Sequence, residues 1–303
     1  MVDLTTLGDD SIAAKGWIKA HKWLILRRLS QLGILALFLA GPIFGVWIVK
    51  GNLASSLTLD ILPLTDPHVL LQAVLSGVVP ETAAIIGVVL VLLFYFVVGG
   101  RVYCSWVCPV NMITDLAQLA ALENWVSGRP LRSPGNARYW MLALTLILPL
   151  VVSGGIVWEL INPVSMMFRG IVFGMGAAWM VILGVFLFDL LVAKEGWCGR
   201  LCPVGAFYNL IGKRSLLRVN ASNRAECNDC MECFVVCPEP QVIKPALKGA
   251  SKGISPVILF SDCTNCGRCI DICAKDVFSY GGRSVSEVKR LNPEVIEKQG
   301  ARA

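Results

Sequence analysis

Histidine is almost missing from this chain: among 303 residues only His21 and His68 occur. Neither falls in a predicted apolar span, which excludes a bis-histidine haem inside a bilayer. Charge is scarce as well. Charged residues make up 16% and hydrophobic residues 55%, against about 25% charged in ordinary soluble domains, so the composition is that of a membrane protein. The net charge of +6 does not point to nucleic acid, because the Lys and Arg residues lie mostly beside apolar runs and form no basic stripe interleaved with aromatics. No cysteine is spare. All 12 fall into four motifs, which leaves none for structural disulfides and favours a reducing compartment. Finally, no small-residue cleavage site follows the first apolar run, so Arg27-Arg28 marks an uncleaved anchor and not an export signal.

What the chain does have is concentrated in residues 227–273. Two runs stand there, Cys227-x2-Cys230-x2-Cys233-x3-Cys237-Pro238 and Cys263-x2-Cys266-x2-Cys269-x3-Cys273. Two-residue gaps let one loop wrap three thiolates around a cubane cluster, and in two-cluster ferredoxins the last cysteine of each run crosses to the other cluster. One [4Fe-4S] site is therefore expected from Cys227, Cys230, Cys233 and Cys273, and a second from Cys263, Cys266, Cys269 and Cys237. Zinc sites usually take two separated Cys-x2-Cys pairs or Cys/His mixtures, which this pattern does not match. Ala274 stands where the second run would usually have proline.

Apolar runs over 30–49, 82–98, 140–158 and 171–192 predict four transmembrane helices, with Trp47, Trp140, Trp158 and Trp197 near their ends as interfacial aromatics. Lys and Arg number five before the first run (Lys15, Lys19, Lys22, Arg27, Arg28), one in the next loop (Lys50), four after the second run (Arg101, Arg129, Arg132, Arg138), then Arg169 alone and sixteen in the tail. That asymmetry places both termini and the 99–139 loop in the cytoplasm, and the 51–81 loop in the periplasm of a bacterial inner-membrane protein. The spans look duplicated. Leu35-Ala36-Leu37 with Pro42 recurs as Leu142-Ala143-Leu144 with Pro149, and each second helix ends in Cys-x3-Cys-Pro-Val. Two parallel helical-hairpin repeats result. The expected organisation is a cytoplasmic segment 1–29, a membrane domain 30–211, a linker 212–224, a ferredoxin-like α+β domain 225–282 and a mobile tail 283–303.

The repeated pairs Cys104/Cys108 and Cys198/Cys202 precede Pro109 and Pro203. Proline suits the first position of a helix, so Cys108 and Cys202 are expected at the N-termini of segments 109–125 and 203–211. There the helix end favours thiolate. Four thiolates across a repeat interface suit a third iron–sulfur cluster; redox-active or quinone-reactive thiols, zinc, and a structural role are the alternatives.

Four spans, Cys104-Ser-Trp-Val-Cys108-Pro, Cys198-Gly-Arg-Leu-Cys202-Pro and the two-cluster tail together resemble the ferredoxin-type membrane subunit of quinol dehydrogenases that serve periplasmic nitrate reductase, the NapH type. The resemblance covers roughly residues 16–280. It implies oxidation of membrane quinol, with electrons passed to a periplasmic ferredoxin-type subunit or a membrane-anchored multihaem cytochrome and on to nitrate reductase. Two other functions compete with it. In one, a cytoplasmic donor reduces the tail clusters and then quinone; in the other, the chain is an accessory protein that matures or reduces a partner's metal centre through the membrane-edge thiols. Since the chain has no evident carrier of its own across the hydrocarbon, quinol diffusion or a partner subunit must bridge that gap.

Quinol oxidation also needs proton acceptors, and intramembrane carboxylates are expensive and often functional. Asp189, near the end of the fourth span, is expected to pair with Lys194 or Arg200, and Glu159 to be a solvated charge at a helix end. Asn162-Pro163 is expected to be a turn and Met166-Met167 apolar filling. In the tail, 241–243 and 257–260 are predicted strands and 244–255 an exposed loop.

Overall fold

The computed structural model describes residues 6–123, 137–151, 157–174, 176, 178–192 and 194–283. It is mainly helical. In chain order α1 (Asp9–Lys15), α2 (Trp17–Ala20) and α3 (Lys22–Phe44) lead into three short strands, β1 (Val49–Gly51), β2 (Ser55–Thr58) and β3 (Leu62–Thr65). Next come α4 (Pro67–Leu75), α5 (Thr82–Val98), a π turn Tyr103–Val107 and α6 (Val110–Glu123). The series repeats as α7 (Ala137–Val151), α8 (Val157–Ile161), α9 (Pro163–Phe173), α10 (Ala178–Leu191), a second π turn Trp197–Leu201 and α11 (Pro203–Gly212). The tail holds β4 (Leu217–Asn220), α12 (Glu232–Val236), α13 (Ile243–Lys248), α14 (Arg268–Ile272) and β5 (Ser279–Gly282). Two compact units result, one of residues 1–29, 95–106 and 209–303, the other of residues 30–94 and 107–208.

Among the described residues α3, with 23 residues, is the one helix long and apolar enough to cross a membrane; α5, α7, α9 and α10 are apolar but shorter. The spans differ from the apolar runs. The first helix starts at Lys22, not at residue 30, and stops before Gly45, whose φ is +73°. The run 171–192 is divided, since residues 171–173 end α9 and α10 begins at Ala178, with Gly174 at φ +100° between them. Hydropathy does not register such a break, because a left-handed glycine is as apolar as the helix it ends. In the third run residues 152–156 lie outside the described residues, and Trp158 belongs to α8.

The two halves of the second unit are built alike. Asp66 accepts the His68 N–H at 2.8 Å ahead of Pro67, and Asn162 accepts the Val164 N–H at 3.1 Å ahead of Pro163. A side-chain cap followed by proline starts a helix from both sides, and the cap alone is worth about 1 kcal/mol. Asn162-Pro163 is thus a helix start as well as a turn. α4 packs on α7, while α9 sets Phe168 against Phe38 of α3 at 6.0 Å. Each capped helix therefore lies on the first helix of the other half. α6 runs along α10. Before α4 the strands pair antiparallel in the order β1-β2-β3, and Lys50 of β1 meets Asp60 of the β2–β3 turn at 2.7 Å.

In the first unit β4 pairs antiparallel with β5, Leu217 opposite Gly282, so the stretch expected to be a linker carries a strand. The expected strand at 241–243 is helical: Pro240 opens a 3-10 turn that runs into α13. Val242, Ile243, Ala246 and Leu247 are all buried, the spacing of one helix face. At 257–260 the sheet gains a single bridge, Asn220 to Val257. These side chains, with Val219, Ile258, Val277 and Phe278, form a small core that includes Cys233 and Cys269. The N-terminal residues fold onto the same unit. Ser11 Oγ donates to Asp271 O at 2.6 Å and Lys15 Nζ to Ile270 O at 3.0 Å. The Asp271 carboxylate accepts the Trp23 and Leu24 N–H groups at 3.1 and 2.9 Å, so a residue of the second cysteine run caps the first apolar helix.

Candidate iron–sulfur sites

The two ferredoxin runs adopt one backbone design. In the first loop Asp229 and Met231 have φ of +62° and +65°; in the second, Asn265 and Gly267 have +48° and +77°. The left-handed residues fall two and four positions after the first cysteine in both loops. Such alternation curls a loop into a concave nest that three thiolates and several N–H groups can face. One cavity is lined by Cys227, Cys230, Cys233 and Cys273. A second is lined by Cys237, Cys263, Cys266 and Cys269. Among the described residues no three Cys, His, Asp or Glu side chains close on a single-ion site. Tetrahedral zinc needs its thiolates nearly in contact around one atom, whereas a cubane holds them apart on the outside of four irons.

Electrostatics favour a highly charged guest. Burial, reinforced by Cys273, Cys230 and Cys227, pushes the Cys233 thiol up to about 12. Burial likewise raises Cys263 to about 11, against the lowering effect of the Asn265 N–H, and drives Cys269 well above its ordinary value. A ring of buried thiolates is stable only around cationic charge, which iron supplies. The residues present fit [4Fe-4S] clusters.

The surroundings of the two loops differ. In the first, Asn228, Asp229, Cys230 and Met231 are exposed. The second is buried and pinned by residues that sequence reasoning did not single out. Asn265 Nδ2 donates to Val98 O and Leu217 O at 3.0 and 3.1 Å, and Asn265 O accepts from Trp106 Nε1 at 3.0 Å and Tyr280 Oη at 2.6 Å. Ser105 Oγ donates to Thr264 O at 2.8 Å. Arg101, only 2% exposed, reaches Glu239 at 2.9 Å and Asp262 O at 2.8 Å. Burial opposes its charge, but Glu239, Cys104 and Asp262 outweigh that and raise its pKa. Segment 95–106, which carries Cys104, is thus bonded directly to the second cluster loop. A Cβ on Gly267 would come within 2.6 Å of Trp23 Cβ, so glycine is required there by crowding as well as by φ. The signal for these residues was their position in a cysteine motif, Ser105 and Trp106 lying between Cys104 and Cys108.

The membrane-edge pairs share a conformation too. Cys104 and Cys198 each lie in a five-residue π turn, and Cys108 and Cys202 follow it; single π turns often mark functional sites. Asn111 N–H reaches Cys108 O at 3.3 Å and Ala206 N–H reaches Cys202 O at 3.2 Å, so both cysteines stand at helix starts. α11 begins at Pro203, but α6 begins at Val110, one residue beyond Pro109. The first helix of each half holds its own cysteine loop: Gln31 Nε2 donates to Cys108 O at 3.2 Å, and Arg138 Nη1 to Gly199 O at 3.3 Å. Cys104 falls in the ferredoxin-bearing unit, Cys108, Cys198 and Cys202 in the other.

Both carboxylates depart from expectation. Asp189 accepts the Trp197 N–H at 2.9 Å and so caps the π turn of Cys198, where a pair with Lys194 or Arg200 was expected. Glu159 is buried, not solvated, and accepts a hydrogen bond from Ser165 Oγ. His68 is fully buried, its ring 3.2 Å from Thr145 Oγ1 and bonded to Gln72.

Comparison with known proteins agrees with this construction. A 4Fe-4S binding domain model matches twice, over residues 81–130 and 175–222, one match for each Cys-x3-Cys-Pro half. A 4Fe-4S dicluster domain model matches residues 226–277. A methylamine utilization ferredoxin-type protein, MauN, of Methylorubrum extorquens is 50% identical over 91% of this chain and 96% of its own. The ferredoxin-type protein NapH of Escherichia coli is 46% identical over 93% of this chain and 97% of its own, and that of Haemophilus influenzae 46% identical over 91% and 95%. No solved structure matches the chain.

Proposed function

This chain belongs to the NapH family of ferredoxin-type proteins with an electron-transfer role, and on that premise we propose that it takes electrons from membrane quinol and passes them singly through iron–sulfur clusters towards a periplasmic reductase, nitrate reductase in the NapH setting. Cys227, Cys230, Cys233 and Cys273 hold one [4Fe-4S] cluster; Cys237, Cys263, Cys266 and Cys269 hold the other. Cys104, Cys108, Cys198 and Cys202 enter the proposal on their sequence pattern alone, as ligands of a third iron–sulfur cluster or as redox-active thiols. The observation that carries the reading is the direct bonding of the second cluster loop to segment 95–106 through Ser105, Trp106 and Arg101. That bonding supports an order of carriers in which the second cluster exchanges with the Cys104 centre, and the first, with Cys230 exposed, exchanges with a soluble or subunit partner.

When bound, the clusters supply one-electron steps, and the protein's part is to hold them rigid. The hydrogen bonds of Asn265 and the buried Arg101–Glu239 pair fix the second loop so that a change of cluster charge moves few atoms. Four crossings with cytoplasmic termini are part of the proposal: α3 spans outright, α5 is roughly 25 Å long at 1.5 Å per residue, and the shorter α7 and α10 are completed by α8 and α9. The partner is a periplasmic ferredoxin-type subunit or a multihaem cytochrome. The 50% identity to MauN supports a second reading, in which the same carrier serves methylamine utilization in place of nitrate.

Membranes holding the chain and its partners test the proposal. Added quinol analogue is expected to reduce iron–sulfur centres seen by electron paramagnetic resonance, and changing all four membrane-edge cysteines to Ser is expected to lower iron per polypeptide while leaving the two ferredoxin signals. If quinol reduces no centre, the dehydrogenase reading is wrong. Unchanged iron in the quadruple variant removes the third centre.

A further inference from the structure

Arg218, in β4, is 2% exposed and carries a charge that no carboxylate answers. Its Nη1 donates to Phe260 O at 3.1 Å and its Nη2 donates to Gly212 O. Its Nε is buried without a hydrogen-bond partner among the described residues, and among them no carboxylate pairs with it. Arg101, in the same unit, is different, with Glu239 at 2.9 Å and Asp262 at 3.8 Å. An arginine stays protonated, and a buried cation without a counter-ion is strongly unfavourable. Something anionic has to lie beside it.

The second cysteine run does. Phe260 O, which Arg218 holds, also accepts the Cys263 N–H at 3.2 Å, so a single carbonyl joins the guanidinium to the first cysteine of that run. Both strand neighbours of Arg218 serve the same site. Leu217 O accepts from Asn265 Nδ2 at 3.1 Å, and Val219 lines the cavity with Cys263, Cys266 and Cys269. Burial pulls the Arg218 pKa down; Cys263 opposes that and Arg283 adds to it. The first cavity has no such cation. The one charged residue in its lining is the acid Asp229, and Lys248, which acts on Cys227, is paired with Asp229 at the surface, where water screens it. In the lining of the second cavity Glu239 and Arg268 are of opposite sign, which leaves the charge of Arg218 in surplus.

We propose, given the two-cluster reading above, that Arg218 is the fixed countercharge of the second [4Fe-4S] cluster and sets its reduction potential above that of the first. Four thiolates outweigh the positive charge of an iron–sulfur core, so each site is anionic, and its potential follows the charge and solvent around it. Burial alone would make the second cluster the harder one to reduce, because the added electron is less well solvated there. A guanidinium held in the same low-dielectric surroundings acts more strongly than one in water and reverses that order. An electron entering at the exposed first cluster then passes to the second. The first is oxidised and the second reduced; no proton moves, since Arg218 keeps its own.

The test is an anaerobic redox titration of the full-length chain followed by electron paramagnetic resonance, the second cluster's signal being assigned as the one that Cys266→Ser alters. In the unmodified chain the second cluster is expected at the higher potential. Arg218→Gln is expected to lower its reduced-to-oxidised ratio at a set potential at least tenfold, which is about 59 mV for a one-electron couple, and to leave the first cluster unmoved. Arg218→Lys keeps the charge but not the forked grip on Phe260 and Gly212, so it is expected to shift the second cluster by less than half as much. A role confined to holding the strand would make the two variants alike. A second cluster unmoved in Arg218→Gln, or lowered equally in both variants, overturns the inference. So does a first cluster with the higher potential in the unmodified chain, and that measurement decides alone if Arg218→Gln holds less iron. If the unmodified chain holds no iron, the two-cluster reading itself has failed.

Discussion

Loops 227–233 and 263–269 have the same cysteine spacing and the same two left-handed positions, yet one faces solvent and the other is held on every side. The first places Met231 at φ +65° with its side chain 44% exposed. The second places Gly267 at φ +77° under Trp23. Identical local geometry therefore serves two roles. A loop that must meet partners keeps its surroundings open and tolerates a strained methionine; a loop that must relay inward is built into neighbouring segments and has no room for a side chain.

The comparison can be broken at several points. The largest effect is expected from Gly267→Ala, where a left-handed alanine costs roughly 1–2 kcal/mol and the clash with Trp23 adds to it; loss of the second cluster's resonance signal with retention of the first would bear out the asymmetry, and equal loss of both would contradict it. Asn265→Ala removes the two side-chain bonds to Val98 O and Leu217 O while keeping those its backbone carbonyl accepts, a loss of about 2 kcal/mol, and should lower thermal stability and shift only the second cluster's potential in a redox titration. Met231→Gly relieves the strain in the first loop and is expected to raise stability by up to about 1 kcal/mol, readable as a higher midpoint in thermal denaturation. Asp229→Asn, a residue that also tolerates the left-handed φ of +62° there, should move the same thermal midpoint by no more than about 0.5 kcal/mol, because the pair with Lys248 lies at the surface, where ion pairs are worth little.

The two halves of the other unit make a second contrast, between Asp66-Pro67 and Asn162-Pro163. Asp66 is raised to about 6 by burial, so its contribution to stability falls as pH rises from about 4 through 6. His68 is lowered to about 4, also by burial, so its contribution is lost as pH falls from about 6.5 towards 4. Each amounts to about 3 kcal/mol if the full shift is realised, and the two slopes oppose each other across nearly the same window. Asp66→Asn keeps the cap and removes the acid, so the variant should become more stable as pH rises from 4 to 6.5, in a way the parent chain does not. A flat profile in the variant would mean that His68 is not held neutral by the fold.

Much of this was legible before any coordinates. The three-cysteine loops follow from spacing that a cubane imposes, the crossing of the fourth cysteine follows the pattern of two-cluster ferredoxins, and the duplicated halves follow from Cys-x3-Cys-Pro-Val occurring twice. The helix limits were less legible: Gly45 and Gly174 end helices through φ, which hydropathy does not register. Glu159 was expected in solvent because a charge beside Trp158 looks like a helix end; its burial depends on α9 supplying Ser165. The double occurrence of an Asx-Pro helix start was present in the letters and would have pointed to His68.

By itself the chain's order of residues determined which thiols exist, how they are spaced, and that they suit iron and not a lone zinc ion, because ligand chemistry acts over a few bonds. Which loop is exposed and which is clamped by Ser105, Trp106 and Trp23 was decided only by tertiary packing. Those contacts join residues some 159 and more positions apart, and no local rule relates segments so distant until a shared core brings them together.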